Sequence, residues 1–197
     1  MASNLVRRLV AASLGLLIAM AATEPAGAQD VATITVVPSV GLTDGQTVTV
    51  EGTGFAPNTT TFGSLTVGLC PSDVLTDLAL APYRCSAVAA FPVAVDDSGA
   101  FVTQLQVFRS QPTSVGDGTL ICADAPSGCV VLAVEVTGSL PDVEVIAATA
   151  PITFRPETKA DCMSGGWRNV TDDAGRPFRS QGACVRFVVT GGEPGAR

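Results

Sequence analysis

The sequence predicts an all-β fold, an antiparallel sandwich, followed by a small C-terminal unit closed by a disulfide. Three observations predict it. Apolar and polar residues alternate with period two in short runs, as in half-buried strands. Turn pairs recur at roughly the 8–12 residue spacing of sandwich strands. Helical periodicity is nearly absent from Gln29 onward.

The first element lies outside the fold. Arg7-Arg8 opens a short basic region, Leu9 to Ala22 follows as 14 uncharged and mostly apolar residues, and Ala26-Gly27-Ala28 supplies an A-x-A cleavage pattern. Together these read as a secretory signal peptide over residues 1–28. The apolar run is shorter than the ~20 residues a membrane helix needs. The expectation is a secreted, extracellular protein with no membrane association after cleavage.

The body is a succession of strands. Val31–Val37 alternates in part and stops at Pro38-Ser39 and Gly41. Asp44-Gly45 is a turn pair, and Gln46–Gly52 sets Thr47 and Thr49 against Val48 and Val50. Further strands are expected at Leu65–Leu69, Ser86–Val95, Ala100–Arg109, Thr119–Ala123, Val130–Val136 and Val145–Phe154, with Asp97-Ser98-Gly99 as a hairpin turn. Ser72 to Ala81, ahead of Pro82, reads as a loop with room for one helical turn. Pro156-Glu157-Thr158 marks a joint, which gives a linker at 155–161, a disulfide-closed motif at 162–190 read as a hairpin, and a disordered end at 191–197.

Composition narrows the function. The chain has no His, which excludes His-based triads and His-ligated zinc. Its net charge of −7 disfavours a direct grip on nucleic acid. That charge is uneven: residues 29–154 carry −10 and residues 155–197 carry +2. Asp96-Asp97 is a solvated turn, not an acid/base pair, because no activating neighbour accompanies it. No EF-hand spacing, C-x-x-C pair or G-x-S-x-G elbow is present. Asn58-Thr59-Thr60 and Asn169-Val170-Thr171 match the glycosylation sequon but read as turn chemistry. Neither an enzyme nor a metal protein is expected.

Export makes disulfides the expected state of the six Cys, for which 15 pairings exist. Spacing favours three local bridges, Cys70–Cys85, Cys122–Cys129 and Cys162–Cys184. Each closes a short loop and contributes about 2–4 kcal/mol.

The stretch from Thr33-Ile34-Thr35-Val36 through Leu42-Thr43-Asp44-Gly45-Gln46 and Gly52-Thr53-Gly54-Phe55-Ala56-Pro57-Asn58 resembles the start of the neocarzinostatin family. The likeness continues at Val67-Gly68-x-Cys70, Asp96-x-x-Gly99, Arg109-Ser110, Asp117-Gly118-Thr119 and Cys122…Cys129, and ends near Ile152-Thr153-Phe154. Those are secreted apoproteins that carry enediyne chromophores. The resemblance implies a seven-stranded Ig-like sandwich over 29–154, two local disulfides and a cleft beside a hairpin ribbon. It implies a carrier of a small hydrophobic ligand, a non-covalent enediyne-like chromophore, with DNA damage arising only through the released ligand. It places Phe91, Phe108, Ser114, Gly116, Val130, Leu132 and Val134 at the cleft.

The chain also departs from the family. Where the family's cleft has an aromatic floor, it reads Gln111-Pro112-Thr113-Ser114-Val115-Gly116. Its Cys70–Cys85 loop is longer and lacks a Trp. The alternative expectation is therefore a secreted or cell-wall-associated Ig-like interaction module that has lost chromophore binding. The Cys162-x-x-Gly165-Gly166-Trp167 and Phe178…Cys184 segments resemble a C-terminal motif of exported actinobacterial proteins. Trp167 and the neighbouring Arg residues of this tail are candidates for docking a protein or cell-wall partner.

Overall fold

A computed structural model describes residues 31–57, 65–125, 127–139 and 142–192; the side chains of Phe91 and of residues 137–144 lie outside the description. The expected signal peptide, Asn58–Thr60 and residues 193–197 fall outside it too.

Nine strands are described: β1 Thr33–Val37, β2 Gln46–Thr53, β3 Leu65–Pro71, β4 Ala89–Val93, β5 Phe101–Val107, β6 Ser110–Pro112, β7 Thr119–Ile121, β8 Cys129–Ser139 and β9 Asp142–Ile152. A three-stranded sheet runs β1-β2-β5 and a four-stranded sheet β4-β3-β8-β9, all antiparallel. These seven strands make the sandwich; β6 and β7 pair with each other as a separate ribbon. The all-β expectation holds, and the three disulfides are those that local spacing favoured.

The alternation in the sequence becomes the division between core and surface. β1 turns Ile34 and Val36 inward, β2 turns Val48 and Val50, and β5 turns Phe101, Leu105 and Val107. Leu65, Val67 and Leu69 of β3 meet them from the other sheet, with Val131 and Ala133 of β8 and Ala148, Ala150 and Ile152 of β9. Asp96 behaves as the sequence indicated: its Oδ1 accepts from the Ser98 and Ala100 N–H groups and the Ser98 hydroxyl, closing the β4–β5 turn. The Ser98 donors hold its pKa below the usual carboxylate range. A glutamate side chain also lies on the inner face of β8. Glu135 of β8 is fully buried, and its Oε2 accepts from the Ala56 N–H at 2.9 Å, tying the segment after β2 to the opposite sheet.

The tail differs from the expected hairpin. After short 3-10 turns at Lys159–Cys162 and Gly166–Arg168 it ends in an α-helix, Gln181–Val189. Ser180 caps that helix by accepting from the Ala183 N–H, and Gly191, at φ +69°, follows its end. Cys162, Val170 and Cys184 are buried in a separate small cluster, with Trp167, Phe178, Val185 and Val188 packed around them. Phe178 also meets Phe187 of the helix, edge to face at 5.3 Å. The mistaken hairpin has a physical source: Val185-Arg186-Phe187-Val188 alternates like a strand, and the disulfide and the capping serine override that bias.

Residues 155–161 lie against the sandwich. Arg155 N donates to Leu42 O and Glu157 Oε1 accepts from Asp44 N. The Arg109 guanidinium pairs with Asp161 and, at 3.4 Å, with Glu157. Burial pushes the Asp161 pKa up, but the Arg109 guanidinium and the Thr158 and Glu157 N–H donors outweigh it and leave it lowered. Asp172 is lowered on the same balance, burial against the Arg176 and Ala174 donors. A depressed carboxylate contributes stability that is complete above the unfolded value, about 3.9 for Asp, and is lost as pH falls through the folded value. The emission of Trp167, the sole tryptophan, is therefore expected to stay constant from about pH 8 to 5 and to change between about pH 4 and 2. A change centred near neutrality would contradict this assignment.

Candidate binding cleft

The inner faces of both sheets fill the core, so any cleft must lie outside it. β3 decides where. Cys70 faces outward to reach Cys85, and the period of two then turns Gly68 and Thr66 the same way. Across the ladder Thr66 pairs with Val134, Gly68 with Leu132 and Cys70 with Val130, so these three β8 residues share the outer face. On the other side Gly68 pairs with Ala89 of β4.

The result is a hollow of about 270 Å³. Gly68 and Ala89, neighbours with almost no side chain, form its floor. Leu132, Val134 and Thr66 make one side; Ala81, Pro82, Cys85 and Ser86 of the Cys70–Cys85 loop make another; Ser114 closes the rim. Within Ser72–Ala81 the loop makes two 3-10 turns, Val74–Thr76 and Leu78–Leu80, and the α-helical turn, α1 (Ala81–Arg84), falls later than expected because Pro82 fits the first turn of a helix. The loop is anchored by Val74, buried against Cys70, Val130 and Leu132, and by an Arg84–Asp73 ion pair at 2.5 Å. The hydrogen bond from Arg84 holds Asp73 below its ordinary pKa.

The β6–β7 ribbon reaches the hollow along the same loop. Ser114 N donates to Cys85 O, Val115 N to Pro82 O, and Ala87 N to Pro112 O. Ser114 Oγ donates to Ser86 O at 2.8 Å. Beneath them the Ser86 hydroxyl contacts the buried Gln111 amide, whose Nε2 has no partner among the described residues. The cleft wall is thus mainly apolar, with a few hydroxyls at one edge, the composition expected of a small-molecule site.

Of the residues named from sequence, Ser114, Leu132 and Val134 line this hollow. Val130 shares their face but lies under the loop, 6% exposed, in the cluster with Cys70 and Val74. Phe91 belongs to β4, and its side chain is outside the description. Phe108 does not line the hollow: its ring lies against Gly45, at the end of the three-stranded sheet. Gly116, at φ +84°, stands at the exposed tip of the ribbon. Thr66, Gly68, Ala81, Pro82, Ser86 and Ala89 were not anticipated. The one available signal was parity, since placing Cys70 outward places Gly68 and Thr66 beside it.

An outer-face cleft between a four-stranded sheet and a hairpin ribbon, with disulfides at Cys70–Cys85 and Cys122–Cys129, is the arrangement the sequence resemblance implied. The neocarzinostatin family profile matches residues 34–154, more than half of the chain. The chain belongs to the neocarzinostatin family. Members of the neocarzinostatin family are carrier apoproteins, not enzymes. Among solved structures macromomycin is similar, with 30% identity over 62% of this chain and 98% of its own, at a TM-score of 0.43. Among curated proteins there is no match. Within this neocarzinostatin-family chain the match stops at Phe154, so the disulfide-closed tail lies beyond the family's span.

Proposed function

We propose that the protein is a secreted carrier that holds a small hydrophobic ligand of enediyne chromophore type, without covalent attachment, in the hollow over Gly68 and Ala89. The observation that supports this reading is the hollow itself: an unfilled, mainly apolar space on the outer sheet face, floored by the two smallest side chains. At about 270 Å³ it lies just under the range of ~300–1,000 Å³ typical of ligand pockets. It therefore takes one apolar arm of a chromophore and leaves the remainder at the rim near Ser114. The −10 charge of residues 29–154 favours a ligand bearing a cation, such as an amino sugar. The same charge disfavours direct DNA binding, so any damage to DNA would come from the released ligand.

Native mass spectrometry of protein purified from its own culture tests the reading; a protein that never carries a small molecule, under any growth condition, would sink it. A second test uses the neutral fluorophore N-phenyl-1-naphthylamine. Gly68→Leu places an isobutyl group in the hollow and is expected to weaken probe binding about ten- to hundredfold, as overpacking of 1–3 kcal/mol implies. Unchanged affinity would place the ligand elsewhere.

One observation favours a second reading. The ribbon segment Gln111–Gly116 offers no aromatic surface for a flat ring to stack on. On that reading the sandwich is a secreted or cell-wall-associated interaction module, and the tail docks its partner. Recovery of the protein in the cell-wall fraction with a stable partner and no ligand would support it.

A further inference from the structure

We infer that the C-terminal segment is a built-in brace for the ribbon and so sets how long the cleft keeps its ligand; the part concerning ligand residence rests on the carrier reading above.

The ribbon needs outside support. β6 and β7 are three residues each, and an isolated two-stranded hairpin is marginal in water. It belongs to neither sheet of the sandwich. Its far end is held by the Cys85–Ala87 backbone. Its root is where the two strands leave the body of the protein, at Arg109 just before β6 and at Ala123–Ala125 just after β7. The tail grips both.

On the first strand the Arg109 guanidinium, mostly buried, pairs with Asp161 and Glu157. Asp161 is itself fixed, because its Oδ2 accepts from the Glu157 and Thr158 N–H groups and the Thr158 hydroxyl. On the second strand the Asn169 amide donates from Nδ2 to Ala123 O at 2.9 Å and to Ala125 O at 3.0 Å. A single side chain thus satisfies two carbonyls of the Cys122–Cys129 turn, which also removes Asn169 from the role of a glycan acceptor. Gly166 allows the approach: a Cβ there would collide with Asp161 O and lie 3.5 Å from the Ala123 methyl. The tail is in turn fastened to the sandwich. Thr171 N donates to Phe154 O, and the Thr171 hydroxyl meets Gly41 N and the Thr153 hydroxyl.

This places two tail groups, Asp161 and Asn169, on opposite strands of one hairpin whose tip carries Ser114 to the cleft rim. Holding a hairpin at both roots restricts its swing without touching the ligand. The effect belongs in the rate of release, because most affinity differences within one site appear in the off-rate.

Amide hydrogen exchange on the ligand-free, full-length chain tests the brace directly. In an Asn169→Ala, Arg109→Gln variant the amides of Thr113, Ser114 and Cys122 are expected to exchange about tenfold faster, while those of β8 and β9 keep their wild-type rates. Release of bound N-phenyl-1-naphthylamine, followed by stopped flow, is expected to speed up several-fold with little change in the on-rate. Unchanged exchange in the ribbon, or an equal rise throughout β8 and β9, would overturn the brace. Faster ribbon exchange with an unchanged release rate would overturn its link to ligand residence. A chain that binds neither probe nor natural ligand would overturn the carrier reading and leave the exchange result standing.

Discussion

Gly52→Ala is expected to destabilise the protein by about 3 kcal/mol, although alanine ordinarily stabilises a strand interior relative to glycine by about 0.5–1 kcal/mol. Gly52 sits in the middle strand of the three-stranded sheet, opposite Phe101 on β5 and Ile34 on β1. The Phe101 ring lies over it: a Cβ at position 52 would fall 2.7 Å from Phe101 Cζ and 3.0 Å from Ile34 Cγ2. The ring has nowhere to go, because it is 4% exposed and packs edge to face on Phe55 at 5.3 Å. Overpacking of this kind costs about 1–3 kcal/mol, and loss of the aromatic pair adds about 0.5–1.5. Gly68→Ala supplies the contrast. There the new methyl would meet only the Ala89 methyl, at 3.5 Å, over open space. It is expected to be neutral or slightly stabilising. Urea denaturation of the two variants checks the pair, and a stable Gly52→Ala protein would refute the packing described for Phe101.

Removing the tail's disulfide with Cys162→Ala, Cys184→Ala is expected to cost the tail about 3 kcal/mol, the chain-entropy value for a loop of this length. The surrounding cluster is too small to absorb that loss: beyond the two cysteines only Val170 is fully buried, with Trp167, Phe178, Val185 and Val188 covering it in part. Trp167 emission is expected to report a first, low-temperature transition. Far-UV circular dichroism is expected to show the sandwich melting later, at a temperature lowered only by the lost docking contacts. Coincident transitions at the wild-type temperature would mean that the tail stands without its bridge. The variant also bears on the brace, since a melted tail releases Arg109 and the Cys122–Cys129 turn together.

The two predictions rest on features of different legibility. The disulfides were readable because each bridge is local, and so were the turns, because Asp44-Gly45 and Asp96…Gly99 carry their geometry in two to four residues. The close fit of Gly52 beneath Phe101 was not readable. The two residues are 49 positions apart, and nothing in either local sequence states the register that brings them together. The cleft divides the same way. Leu132, Val134 and Ser114 were found through the family resemblance. Phe108 went elsewhere, because it follows β5 at the end of the other sheet and packs on Gly45.

The sequence by itself determined the all-β class, the two-faced alternation of β1 and β2, the three staples and the charge division between sandwich and tail. All of these follow from period-two alternation, turn chemistry, short loop closure and composition, which act within a few residues. Only the tertiary structure decided that the outer face of β3 and β8 is left open over Gly68 and Ala89. It also decided that the tail ends in a helix, and that Asp161 and Asn169 reach the two roots of the ribbon. Those outcomes depend on which side chains meet across long sequence separations, where packing, a distant disulfide and satisfaction of buried carbonyls outweigh local preference.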